Sequence, residues 1–414
     1  MDLGIQSIHS QALQVLVAGK LYTPDEIAGP VAIVLEGSKI RAIWRDTNAA
    51  EARQRVEHLF PGLAVDVTDL GTWRLAPGYI DLHIHGFRGH DITTGPAEDT
   101  EAVARDLPCT GVTSFFPTIA TTGRTETVEQ VKNIATLAEK RPNASSEILG
   151  IRLEGPFISY DKKGAQYGPA IRKPDPAEMR QLAEIGNGWI RFVDYAPEED
   201  DKSQLLASLV ELDIYPCIGH TSATYEQAVQ AIDGGARHST HLFNAMPTLN
   251  HRAPGAAGAL LTDNRATVEI IADGIHVHPR MLKLAIAARG IHDVALITDA
   301  VSPAGLPDGD YEFVRRIIHV ADGKVCLEDG SLAGSALTLD RAVRNMVAFG
   351  ASWADAIRMA TLTPARIAGI AKRKGQVAPG ADADLVVLDE HGLVRGTWVN
   401  GQRAYFVDAH LSKA

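Results

Sequence analysis

PGYIDLHIHG, residues 77–86, alternates apolar side chains with two histidines and stops at a glycine. Tyr79, Ile80, Leu82 and Ile84 have the character of a buried strand, in which side chains two apart share a face. His83 and His85 therefore project side by side from the end of one strand, just before a turn at Gly86. Two imidazoles held that way can bind one divalent ion. The same stretch also suits two histidines satisfied by hydrogen bonds at a strand end, so its surroundings decide.

Downstream, strand-like apolar runs alternate with helix-patterned segments. The runs are IDLHIH, GVTSFFPT, ILGIRLEG, WIRFVDYAP, DIYPCIGHT, ARHSTHLFNA, TVEIIADGIH and DVALITDA; the segments between them include TVEQVKNIATLAEK, KSQLLASLVEL, YEQAVQAIDGG and PRMLKLAIAARG. Such alternation predicts parallel strands, and about eight units predict an α/β chain folded as a closed (β/α)8 barrel. Both flanks are instead β-rich with glycine-containing turns: ALQVLVAGKLY and PVAIVLEGSKIRAIW before the barrel, GQVAPGADADLVVLDEHGLVRGTWVNGQR after it. The two ends are expected to meet as one small, discontinuous β domain, residues 1–76 and 376–414, around a barrel of residues 77–375. No low-complexity segment or short-period repeat interrupts this plan.

The totals narrow the partners. A chain of 414 residues has room for a barrel and a second domain. Its net charge of -11 argues against nucleic acid or an anionic membrane, both of which need basic surface. A small anionic substrate, needing only a few local cations, is not excluded. Cys109, Cys217 and Cys326 form neither a ligand spacing nor a disulfide framework. The opening MDLGIQSIHSQALQ lacks the basic and apolar regions of a signal peptide, and no apolar run reaches membrane-helix length. A cytoplasmic protein is expected.

What ends each strand carries the chemistry. The first ends in His83 and His85, the third in Glu154 of LEGPF, and the fifth in His220 of IGHTSA. The sixth ends in His238 and His241, the seventh in Asp273, His276 and His278, the eighth in Asp299 of ITDA. In a parallel barrel all these ends converge on one face, where active sites lie. Metal-capable residues at so many strand ends are hard to explain by packing, and a metal centre is the expectation. Imidazole and carboxylate donors without cysteine suit one or two divalent ions, zinc first, with iron, manganese or cobalt compatible. Such an ion lowers the pKa of a water toward ~7 and polarises a carbonyl. A free carboxylate can take the water's proton and pass it to a leaving amine, a role for which Asp299 is the candidate. Hydrolysis of an amide or related C–N bond follows as the reaction class.

PGYIDLHIHG, LEGPF, GHTSA, THLFNAM, DGIH, TDA, SLAGS and GQVAPGADADLVVLD together resemble the amidohydrolase superfamily and, within it, the N-acetylglucosamine-6-phosphate deacetylases. The resemblance runs from about Gln14 to Gln402. It implies a metal-dependent barrel with a small β-sandwich, usually a homodimer, that removes acetate from an amino sugar phosphate. By position, it implies Glu154, His220 and His241 as core metal ligands, and His83 and His85 as the HxH form able to hold a second ion. Asp299 matches the catalytic aspartate. His276 matches a substrate-contacting histidine, with Asp273, Gly274 and Ile275 beside it. Asn244 and Ala245 match substrate-binding positions, and Leu332, Ala333 and Gly334 match a loop that closes over the sugar. Arg252 matches an arginine that reaches the phosphate across the dimer interface, where a guanidinium fork fits well.

One loop departs from the pattern. The family usually places a substrate-touching histidine in a Gly-Ala/Thr-His segment; here it reads GAQ, with Ala165 and Gln166 in those substrate positions. Glutamine can donate a hydrogen bond but cannot become cationic. This opens the reading to a related acylamino sugar or an unphosphorylated one. His238 is expected to be structural, His278 at most a partner of His276, Lys162 and Lys163 solvated, and Asp384 a turn-shaping residue. Cyclic-amide hydrolases of the superfamily typically carry a modified lysine at the end of strand four, where RFVDYAPEE has none. A catalytically dead binding protein is disfavoured because Glu154, His220, His241 and Asp299 are all present.

Overall fold

Strands buried on both faces are largely apolar, and the runs read above are so apart from a few buried charged residues such as Asp81, Arg152, Asp194 and Glu269. The computed structural model describes residues 13–23 and 26–407. Its parallel strands are β1 (Tyr79–Ile84), β2 (Val112–Ala120), β3 (Ile151–Glu154), β4 (Ile190–Tyr195), β5 (Tyr215–Ile218), β6 (His238–Ser239), β7 (Val268–Ile271) and β8 (Val294–Ile297). β1 to β6 pair in sequence order, each parallel to the next, and β7 pairs parallel with β8. Single parallel bridges, His238 to Thr267 and Ile84 to Ala300, link the two sets at both edges. The result is a curled parallel sheet with helices in its crossovers.

The crossover helices start where the sequence supplies caps. Thr224 accepts from the backbone of Gln227, whose side chain accepts from the Thr224 N–H in return, opening the helix Tyr225–Asp233. Asp175 caps Pro176–Ile185 from Ala177 and Glu178, with proline at the first helical position.

The two β-rich ends do share one sheet. Arg74–Pro77 pairs antiparallel with Leu385–Leu388, within a six-stranded order that also holds Lys20–Thr23 and Val394–Val399. A four-stranded sheet containing Leu13–Ala18 and Val31–Glu36 lies against it. Leu16, Ile33 and Leu35 of the second sheet pack in one apolar cluster with Leu75, Leu385 and Trp398 of the first. The leader reading of the chain's opening falls largely on residues 1–12, outside the described residues. Among the described residues no helix is long and apolar enough to cross a membrane.

A buried ion cluster joins these end sheets to the parallel sheet. Lys374, 1% exposed, places Nζ 2.8 Å from Glu147 beside β2, 3.2 Å from Asp382, and against Asp384. Asp384 also accepts from the Asn400 N–H at 2.8 Å, so it shapes a turn as expected and anchors Lys374 as well. One further element escaped the sequence reading. Gly309–Phe313, Arg316–Ala321 and Lys324–Cys326 form a small antiparallel sheet that follows β8 and carries Phe313 to the centre described next.

Candidate metal centre

Because β1, β3, β5, β6 and β8 run parallel, the residues at or just beyond their C-terminal ends meet at one end of the sheet. Three of them leave their strands through an unusual turn. His220, His241 and Asp299 have φ of 46°, 20° and 50°. A non-glycine residue there costs ~1–3 kcal/mol, strain characteristic of functional sites. The bend points each side chain toward the same centre rather than along its strand.

The donor atoms form two groups that share Glu154: His83, His85, Glu154 and Asp299 in one, Glu154, His220 and His241 in the other. Glu154 Oε1 lies 3.0 Å from both His220 Nε2 and His241 Nε2, which are 3.1 Å apart. Glu154 Oε2 lies 3.1 Å from His85 Nε2. His83 Nε2 and His85 Nε2 are 3.2 Å apart, with Asp299 Oδ1 at 3.4 and 3.3 Å respectively. Donors bound at 2.0–2.1 Å around a tetrahedral ion are separated by about 3.3 Å. These spacings fit such ions, and the donor types fit zinc and its first-row neighbours.

The far sides of the rings support the same reading. His85 Nδ1 faces the Thr118 carbonyl at 3.1 Å and His220 Nδ1 the Lys162 carbonyl at 2.8 Å. A carbonyl only accepts, so each Nδ1 carries a proton, and when the ring is neutral its Nε2 lone pair points to the centre. Burial would raise the Glu154 carboxyl, yet His83, His85 and His220 hold it well below the usual carboxylate range. Burial likewise opposes, and His83 and His85 overcome it, to keep Asp299 low. Both carboxylates are ionised donors.

Above the donors opens a cavity of about 340 Å³, with His85, Glu154, His220, His241 and Asp299 in its walls. Of the other residues anticipated from sequence, Ala165, Gln166, Asn244, Ala245, His276, Leu332 and Gly334 also line it. Asp273 does not; it accepts from the backbone of Ile275 and His276 at 2.8 Å each and holds His276 Nδ1 at 2.6 Å. Gly274 turns that loop at φ 78° and Ile275 points to solvent. Ala333 is fully buried in the core of the small antiparallel sheet. Arg252 is exposed and outside its own chain's cavity.

Gln166 is committed within the protein. Its Nε2 donates to Glu154 Oε2, and its Oε1 accepts from the Thr121 N–H at 2.7 Å. His238 turns away from the centre, its Nε2 2.8 Å from Glu269 and its Nδ1 2.7 Å from Thr267. His278 is no partner of His276; it caps the helix Pro279–Arg289, accepting from the Arg280 N–H at 3.2 Å. Lys162, expected in solvent, lines the cavity. It is drawn there because its carbonyl is held by His220.

Among the described residues, Asp161, Gly164 and Ser331 in the cavity wall escaped the sequence reading, as did two residues beside the donors. Phe313 stacks edge-on to His85 with ring centroids 5.6 Å apart and lines the cavity; its strand has no local signature linking it to the site. Glu269 lies fully buried in β7. Its signal was available: a single glutamate inside the apolar run VEII.

Comparison with known proteins gives a family and several relatives. The family model described as the amidohydrolase family matches residues 74–404. An N-acetylgalactosamine-6-phosphate deacetylase of Escherichia coli O157:H7 is 36% identical, covering 88% of this chain and 96% of that protein. An N-acetylglucosamine-6-phosphate deacetylase of Bacillus subtilis is 38% identical over 80% of this chain and 84% of its own. Among solved structures, a mutant N-acetyl-D-glucosamine-6-phosphate deacetylase from Mycobacterium smegmatis, in complex with N-acetyl-D-glucosamine-6-phosphate, superposes with a TM-score of 0.86. That protein is 32% identical, and the match covers 95% of this chain and 99% of the other.

Proposed function

This chain belongs to the amidohydrolase family, and we propose that it removes the acetyl group from N-acetylglucosamine 6-phosphate, releasing glucosamine 6-phosphate and acetate. The observation that carries the reading is the pair of donor groups sharing Glu154, with Asp299 beside them in the wall of a sugar-sized cavity. Relatives with this activity over most of their length support it.

In this reading Glu154, His220 and His241 would hold one divalent ion and His83 and His85 would help hold a second, zinc being the first candidate. A divalent ion there supplies Lewis acidity, making a water acidic near neutral pH and polarising the acetyl carbonyl. Asp299, ionised and within 3.4 Å of both β1 histidines, accepts the water's proton and delivers it to the departing amine. His276, its Nδ1 tied to Asp273, presents its other nitrogen to the sugar, while Asn244 and Ala245 contact the substrate and Leu332 to Gly334 cover it. Lys162 is a cation of the same chain available to the phosphate. Arg252 lies outside its own chain's cavity; by the family resemblance it would reach the phosphate bound by a second copy in a cytoplasmic homodimer. We read the eight strands as a closed (β/α)8 barrel over residues 77–375, and the end sheets, residues 1–76 and 376–414, as a β-sandwich.

A second reading is specific. The Escherichia coli relative, matched over 96% of its length, is named for the galacto epimer of the sugar. Acetate release from metal-replete protein should be measured with N-acetylglucosamine 6-phosphate, N-acetylgalactosamine 6-phosphate and unphosphorylated N-acetylglucosamine. Fast, chelator-sensitive turnover of the first, with the last slow, is expected, and Arg252→Ala should raise KM for the phosphate ester alone. Preference for the galacto epimer would select the second reading; turnover of none would reject both.

A further inference from the structure

Beneath the donors, a buried charge network fills the interior of the parallel sheet. Arg152, fully buried, donates to Asp194 through Nη2 at 2.9 Å and Nε at 3.0 Å, and through Nη1 to Glu269. Glu269 Oε1 is also met by His238 Nε2 at 2.8 Å. Arg152 is therefore already paired with Asp194 before Glu269 is counted. A second buried carboxylate kept only as its counterion would carry a desolvation cost of several kcal/mol that a well-packed apolar side chain avoids.

The other oxygen of Glu269 has a different outlook. Oε2 lies 3.6 Å from His83 Nδ1 and 3.4 Å from the backbone N of His241. His83 is fully buried, and its Nδ1 has no hydrogen-bond partner. Its Nε2 is turned to His85, Glu154 and Asp299. If that nitrogen offers a lone pair to an ion, the neutral ring must carry its proton on Nδ1, facing Glu269. For His85 and His220 the same duty falls to main-chain carbonyls; for His83 the group facing Nδ1 is the Glu269 carboxylate, at 3.6 Å. Carboxylates behind ligand histidines fix the tautomer, orient the ring and raise its basicity.

We infer that Glu269 is a positioning residue for His83: its Oε2 accepts from Nδ1–H, closing the 3.6 Å gap with a small ring rotation, and so favours an ion at the His83 and His85 pair. Arg152 keeps that carboxylate in place from the opposite side. The inference rests on the two-ion reading above, and the test separates the two.

The test is metal stoichiometry, measured by mass spectrometry on purified protein equilibrated with zinc and graded chelator. Wild type, Glu269→Gln and Glu269→Asp are compared, with His83→Asn as background. Both Glu269 variants should lose the ion at the β1 histidines at 10- to 100-fold lower chelator strength, the usual effect of removing such a partner. The ion at Glu154, His220 and His241 should shift less than about twofold, a bound allowing for the contact to the His241 backbone. In the His83→Asn background, changing Glu269 should leave the remaining ion's affinity within the same twofold bound. Should Glu269→Gln fail to fold, the aspartate, which retains the charge opposite Arg152, reads the same quantity. Equal weakening of both ions, or no weakening, overturns the inference while the two-ion reading stands. A wild type that never holds more than one ion overturns both.

Discussion

Lys374→Met is the substitution whose cost the structure defines most directly. Lys374 is 1% exposed and touches three carboxylates, those of Glu147, Asp382 and Asp384. Burial by itself would raise the Glu147 carboxyl, but Lys374 and Arg373 hold it at about 2 instead of its ordinary 4.5. At 1.36 kcal/mol per pH unit that is roughly 3 kcal/mol of stability, shared between the two cations. Removing the lysine also strands the other two carboxylates, so a loss of about 3–5 kcal/mol at pH 7 is expected, the range for breaking a buried pair. The sign of the pH effect follows. A carboxyl depressed in the folded state contributes fully above the unfolded value of 4.5, and loses that contribution as pH falls through it toward 2. Asp384, already pushed up by burial despite Lys374, protonates first once the lysine is gone. The gap between wild type and variant should therefore narrow steadily from pH 6 to pH 3.5. Urea midpoints at matched slope, taken across that range, measure it. Both proteins carry the same metal centre, so its own pH dependence cancels in the difference. A gap under about 1 kcal/mol at pH 7, or one that stays constant with pH, would refute the reasoning.

Asp299→Asn keeps the size of the side chain and an oxygen toward the β1 histidines but cannot take a proton. Its kcat should fall about 10²- to 10⁴-fold with metal content retained; undiminished acetate release would remove Asp299 from the proton-transfer role. Gln166→Ala deletes the hydrogen bonds to Glu154 and to the Thr121 backbone. Metal affinity should drop roughly 10- to 100-fold, with KM for the sugar phosphate unchanged at saturating metal. A raised KM with unaltered metal affinity would instead make Gln166 a sugar contact.

Most of the donor set was legible because the information is local. A strand buried on both faces is spelled mainly in apolar residues, and the C-terminal ends of parallel strands gather on one side of the sheet, where polar residues at those ends can meet. His83, His85, Glu154, His220, His241 and Asp299 all follow that rule, although they span the chain from position 83 to 299. The β-rich ends were legible for the same reason, their meeting being required by the apolar faces that neither could bury alone.

What the tertiary structure alone decided is which atoms face each other. Sequence could place Gln166 in a substrate loop, but not show that its amide also meets Glu154 and the Thr121 backbone, contacts made by the approach of β2 to that loop. Glu269 and Arg152 are 117 positions apart, and Phe313 reaches His85 from a sheet inserted after the last strand of the core. Lys374 finds Glu147 only because the chain's two ends close against the parallel sheet. Hydrophobic periodicity fixes direction and burial along one segment at a time. Charge pairing, ring orientation and the sharing of Glu154 between two donor groups depend on separations between segments such as the 3.0 Å from Glu154 to His220 and to His241, and those exist only once the segments have packed.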